Sequence, residues 1–434
     1  MKIQIGNEPI ADIKAREILD SNGRPMVEVD VWTTDGSMGR GSSPCGTSVG
    51  RHEAFVLRDG GRRFDGLGVR QAVKNVIEII SPALIGRNVY DQQTLDHLMI
   101  ELDGTPDKSH LGANAIYSVS IAVARAAANS LRLPLYRYLG GDGAHRLPVP
   151  IFNMINGGPY SGTEVEFQEF SFIPSTSENY YEALRMGVEV LSQLGKMIEK
   201  HYGKKNLRQG YSGGYAAPVN KPAEILEILS ETAETIGYGK KFVFHLDCAA
   251  SHFHNRDNDW YNFQGKKTIR DEMINYYEDL VKCYPILMVE DPLDEDDFEG
   301  HKKLTERLNI FVAGDDLFVT NMERLKKGIS IGAANAMIFK PNMIGTLSES
   351  LDTASYAKEH GYIIVPSSRA GGSVDDPIPD IAVAIGAQFV KFGAPKTGER
   401  VTYQNRLLRI EEELGTSARF HTIGVLRREF NRRV

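Results

Sequence analysis

The sequence predicts an α/β protein in two parts, an amino-terminal α+β domain over residues 1–140 and a parallel β/α barrel over residues 145–434. Three observations lead there. A chain of 434 residues is too long for a single small core. Its first part carries an alternating strand followed by strongly periodic helices, whereas the rest alternates short apolar runs with helical segments, the pattern of βαβ units. The later apolar runs also end on polar or charged residues about 23 to 28 positions apart, close to one βα unit in a barrel of ~250 residues.

Taken in order, "MVEVDVWT" (Met26–Thr33) alternates apolar and polar residues, as a half-buried strand does, and is closed by the turn signal "TDG". "VRQAVKNVIEIISPALIG" and "GANAIYSVSIAVARAAANSL" place apolar residues at helical spacing, and the alanine content of the second suits a tightly packed helix. Glycines and prolines in "LGGDGAHRLPVP" interrupt the periodicity and mark the domain boundary. Beyond it, "FVFHLD" ends at Asp247, "ILMVED" near Glu290, "IFVAGDD" at Asp315, "AMIFK" at Lys340, "YIIVPSS" at Ser368 and "FVK" at Lys391.

Composition narrows the function. Apolar residues make up 41% and charged residues 25% of the chain, with a net charge of −7. An acidic balance without a basic patch argues against nucleic acid and anionic membranes as partners. The one basic cluster, "RREFNRR", reads as a solvated helix end. Cys45, Cys248 and Cys283 are too few and too scattered for a disulfide framework or a zinc site. No apolar stretch follows a basic start, and no run reaches the ~18 residues of a membrane span. A soluble, unprocessed cytoplasmic protein is expected.

In barrels of this kind the carboxyl ends of the strands face the active site. Asp247, Glu290 and Asp315 would there concentrate negative charge, which hard oxygen ligands relieve by taking Mg²⁺. Lys340 and Lys391 lie across the same mouth. A lysine becomes a base when neighbouring cations lower its pKa, so metal and lysine together point to removal of a proton next to a carboxylate. One loop does not fit this picture. "RQGYSGGYAAP" (Arg208–Pro218) has the glycines of a ligand cradle and neither acid nor base among them. Cys45 reads as a small packed residue, and His252 and His254 as surface loop histidines.

The segments "AREILDSNGRPMVEVDV", "HEAFVLRDG", "LGANAIYSVSIAVARAAA", "NMINGG", "FQEF", "VEDPLDEDD", "GDDLFVTN", "IGTLSES" and "LLRIEEELG" closely resemble those of the enolases, the phosphopyruvate hydratases. The resemblance runs over almost the whole chain. It implies an enolase-type (β/α)8 barrel, TIM-like, behind a small α+β domain, usually dimeric, with two Mg²⁺ ions. By resemblance Asp247, Glu290 and Asp315 are the metal ligands, and Ser48 is the loop serine that closes onto the second metal. Lys340 is the base and Lys391 the lysine that grips the substrate carboxylate. Gln168 and Glu169 are the active-site pair, and Arg369 binds phosphate.

The departures from the family fall in the same pocket. Where enolases read G-D-E-G-G-F this chain reads "GYSGGY", so Ser212 replaces the glutamate that assists departure of hydroxide. Tyr160 and Ser368 replace two histidines, and Ala370 a phosphate-binding serine. A positioned general acid is worth about 10²–10⁴-fold, and a serine hydroxyl does not replace it at neutral pH. Three expectations follow. The first is a Mg²⁺-dependent enolase-fold lyase or transferase that forms an enolate on a phosphorylated or phosphonylated three-carbon acid. Its precedent lies in phosphonate and phosphinate biosynthesis, in enzymes of the carboxyphosphonoenolpyruvate synthase type. The second is phosphopyruvate hydratase itself, and the third a non-catalytic enolase-like binding protein.

Overall fold

The computed structural model describes residues 6–46, 50–159 and 161–431, the side chains of 429–431 aside. It opens with an antiparallel sheet of β1 (Ile10–Leu19), β2 (Pro25–Thr33) and β3 (Met38–Ser42) in that order. Continuous helical turns over residues 70–84 follow, and then α1 (Gln92–Asp103) and α2 (Ala113–Ser130), of which α2 is buried over most of its length. Alanine-rich α2 and glycine-bearing β3 suit each other because both lack bulk. A Cβ on Gly39 would lie 2.1 Å from the Ala122 carbonyl, and one on Gly41 2.2 Å from that of Ser118.

The alternation read from β2 is not what the fold uses. Met26, Val27, Val29 and Val31 are fully buried, but so is Asp30, which accepts hydrogen bonds from Arg40 at 2.6 and 2.9 Å and a further one from Arg16. Charge pairing covers the polar face, so both faces of the strand are sealed.

The barrel strands are β4 (Val149–Asn156), β5 (Glu169–Pro174), β6 (Phe242–Asp247), β7 (Ile286–Glu290), β8 (Phe311–Gly314), β9 (Ala336–Phe339), β10 (Ile363–Pro366) and β11 (Phe389–Lys391). They form one path in the order β10-β9-β8-β7-β6-β5-β4-β11. A parallel bridge between Ser367 and Lys391 brings its two ends together. Neighbours are parallel except that β5 runs against both β4 and β6. Helices α3 (Tyr180–Tyr202) and α4 (Pro222–Thr235) follow the β4–β5 pair, after which strand and helix alternate.

Val149, Ile173, Val243, Met288, Phe311, Ala336 and Phe389 pack inside the barrel, together with Ile423 and Leu426 of the last helix. That apolar filling closes one end and leaves the polar strand ends at the other. Among the described residues no helix is long and apolar enough to cross a membrane.

Candidate active site

Strand geometry decides which side chains share the open rim. Side chains alternate across a strand, so Val243, His245 and Asp247 of β6 all point into the barrel, the last at the rim. Glu290 ends β7, and Asp315 and Lys340 immediately follow β8 and β9. Lys391 ends β11. Because β5 is reversed, its first residue, Glu169, pairs in register with Asp247 and reaches the same rim.

The structure divides the expected carboxylate trio between two lysines. The Lys391 ammonium lies 2.7 Å from Asp247 Oδ2, 2.8 and 2.7 Å from the two Glu290 oxygens and 3.3 Å from Glu169 Oε2. Lys340 pairs instead with Asp315. Gln168 donates to Asp247 Oδ2 at 3.1 Å, and the Ser212 hydroxyl donates to Glu169 Oε1. Arg369 faces Glu53. These groups surround a cavity of about 60 Å³ whose wall includes Glu169, Ser212, Asp315, Lys340, Ser368 and Ala370. Ser48 and Tyr160 lie outside the described residues.

Burial and then the Glu290 charge push Asp247 up to about 7, and burial likewise raises Glu290. Burial acts in the same direction on Glu169 and Asp315, but the lysine charges outweigh it and both stay below the ordinary carboxylate range. Lys340 would be lowered by burial, Arg369 and Lys391, yet Asp315 outweighs them and keeps the ammonium protonated. The lowering expected of a base is therefore not present while Asp315 faces it.

The site suits a divalent cation. Glu169, Asp247, Glu290 and Asp315 face the two ammoniums of Lys340 and Lys391, so the fully ionised cluster carries excess negative charge. Asp315 Oδ1 and Gln168 Oε1 are buried acceptors without a hydrogen-bond donor. Such oxygens are the hard ligands Mg²⁺ takes. A second acidic group, Asp291, Asp315 and Asp316, has ligand oxygens within 4.8 Å of one another. Asp291, which the sequence reading passed over, accepts the Asp315 and Asp316 amides at 3.0 and 2.8 Å and so fixes the turn after β8.

The acid-free loop has a structural reason for its glycines. A Cβ on Gly210 would lie 2.4 Å from the Asn156 side chain, and one on Gly214 2.9 Å from the backbone of Met154. The loop is pressed against the end of β4, which sets Ser212 on Glu169 and leaves Tyr211 49% exposed at the surface. Cys45 is buried, as expected, with the Arg58 guanidinium 2.9 Å from its sulfur. His252 is exposed, but His254 is not a surface residue. Its side chain is 7% exposed and lies 3.3 Å from Asp294. Two further residues escaped the sequence reading. Glu53 shows there only as part of a motif, and His245 only as a polar residue inside an apolar run.

Fold and rim together define a β/α-barrel protein with a carboxylate and lysine centre. The chain belongs to the enolase family: residues 144–429 match the enolase C-terminal TIM barrel domain and residues 10–139 the enolase N-terminal domain. It is 51% identical over 415 residues to a protein of Methanopyrus kandleri named enolase, covering 95% of this chain and 97% of that one. Enolases of Methanosarcina mazei and Pyrococcus furiosus are each 49% identical, over 96% and 93% of this chain and 97% and 95% of their own.

These relatives correct the first functional expectation. A lyase or transferase redirected to phosphonate chemistry rested on the side chains lost from the pocket, whereas near-full-length identity of about half to proteins named enolase favours the hydratase. In the wall of the rim cavity Ser212 turns to Glu169 and Lys340 to Asp315.

Proposed function

We propose that this protein is a phosphopyruvate hydratase, an enzyme that removes water from 2-phosphoglycerate to give phosphoenolpyruvate. The observation that carries the reading is the placement of Lys340 and Lys391 among Asp247, Glu290 and Asp315 at one barrel rim. Asp247, Glu290 and Asp315 would hold Mg²⁺, which when bound offsets the negative charge that builds on the substrate carboxylate. Were Asp315 engaged as a ligand, its hold on Lys340 would weaken, and Arg369 and Lys391 would then favour the free amine.

Lys340 takes the proton from C2, Lys391 binds the substrate carboxylate and Arg369 the phosphate. The electron pair left at C2 then expels hydroxide from C3. That second half is the weaker one. Glu169 is held ionised by Lys391 and by the Ser212 hydroxyl, so neither is a ready proton donor to the leaving group. We also read the chain as cytoplasmic, in keeping with its free cysteines, and, from the family resemblance, as a homodimer or higher homo-oligomer.

The test is appearance of phosphoenolpyruvate from 2-phosphoglycerate in the presence of Mg²⁺, with Lys340→Ala as the control. Product from the wild type and none from the variant supports the reading. Tight 2-phosphoglycerate binding without product or C2 proton exchange would leave a binding protein in its place.

A further inference from the structure

His245 is a buried polar side chain inside the barrel, one layer above the apolar filling. It lies one layer below Asp247 on the inward face of β6, directly above Val243. Its side chain and that of Glu290 are both fully buried. Its Nε2 lies 2.9 Å from Glu290 Oε2. An ionised carboxylate only accepts hydrogen bonds, so Nε2 carries the proton and donates it. The other ring nitrogen has no hydrogen-bond partner, and neither has the hydroxyl of Ser171, which faces His245 in register across β5. A buried imidazole with half its capacity unused costs stability against the leucine or valine that would fill the layer, so the bond to Glu290 is the feature it contributes.

Glu290 is thereby held from two sides. Lys391 reaches both of its oxygens from the rim, and His245 reaches Oε2 from beneath. The proposed reaction calls on Lys391 to bind the substrate carboxylate, which leaves the imidazole as the contact that keeps Glu290 in place.

We propose that His245 is a positioning residue that fixes the Glu290 carboxylate for a divalent cation at the barrel rim, an inference that rests on the metal-dependent reading above. Partners of this kind typically contribute about 10- to 100-fold to metal affinity.

The experiment is titration of the full chain with Mn²⁺, alone and without substrate, followed by the paramagnetic resonance of the free ion. His245→Leu should weaken Mn²⁺ binding about tenfold or more. His245→Gln, which keeps an N–H donor, should stay within about threefold of wild type, a rescue that lost packing alone would not give. Should the leucine variant fail to fold, His245→Phe removes the donor while keeping a ring. Unchanged affinity in the donor-free variant overturns the proposal, and so does equal weakening by Gln and Leu. A wild type that binds no Mn²⁺ overturns the metal site together with it, which separates failure of the functional reading from failure of this role alone.

Discussion

Arg369 and Glu53 form a two-point ion pair, at 2.8 and 3.0 Å, with 4% and 2% of their side-chain surfaces exposed. The same Glu53 carboxylate accepts the Gly50 amide at 2.9 Å, and the Ala54 amide beside it donates to the Met343 carbonyl at 2.7 Å. One glutamate therefore joins the segment after β3 to the loop beyond β10. Removing one partner of a buried pair costs about 3–5 kcal/mol, because the other charge loses its nearest counter-ion. Glu53→Ala should lose about that much in urea unfolding and Glu53→Gln less, because the amide still accepts a hydrogen bond. A loss under about 1 kcal/mol in the alanine variant would show that Arg369 does not depend on the pair.

Metal should stabilise the folded chain. A ligand that binds only the native state adds about 2.7 kcal/mol at a hundredfold excess over Kd. Thermal melting with and without Mg²⁺ should show an upward shift of several degrees in the wild type and little or none in Asp247→Asn and Asp315→Asn. An equal shift in all three would place the cation elsewhere.

The two halves of the reaction should separate kinetically. With Lys340 present and no ready acid beside Ser212, the C2 proton of 2-phosphoglycerate should exchange into deuterated solvent faster than phosphoenolpyruvate forms. The gap should be on the order of 10²-fold, the usual worth of a positioned acid. Lys340→Ala should abolish exchange, and Ser212→Ala should leave it nearly unchanged. Proton magnetic resonance of the substrate follows exchange and product together, and equal rates would mean that an acid is in place.

Acid should weaken the fold through His421. Burial, then the charge of Arg146, push this partly buried imidazole from 6.5 down to about 4. A depressed folded pKa means that the folded state disfavours the proton. The contribution is fully present above about 6.5 and is lost as pH falls toward about 4. Allowing for partial exposure, it is on the order of 2 kcal/mol. Stability measured from pH 7 to pH 4 should fall less steeply in His421→Gln than in the wild type.

Much of the fold was legible because an apolar run of strand length that closes on a charge is most simply a buried strand ending at a solvated rim. β6, β7, β8, β9, β10 and β11 lie where those runs stand. β4 and β5 were visible only as motifs. Val149–Asn156 is buried throughout, with one proline and two asparagines that disguise the run, and the first side chain of β5 is a charge. The polar face of β2 was misread because the partners that bury Asp30 come from other strands. For the site, residue types at the strand ends were readable, but pairings were not. Nothing in the order of the chain says that Lys391 settles on Asp247 and Glu290 while Lys340 settles on Asp315, or that His245 lies beneath Glu290.

The reversal of β5 also bears on where this chain tolerates change. β6, β7, β8, β9, β10 and β11 deliver their site residues with the last residue or just after it. β5 delivers Glu169 with its first, so the stretch that steers catalysis here is the one leading into Gln168. The turn leaving Pro174 sits at the opposite end. A peptide tag or a reporter domain spliced in after Pro174 should be carried without loss of turnover, whereas randomising the residues just ahead of Gln168 is the direct route to altered selectivity.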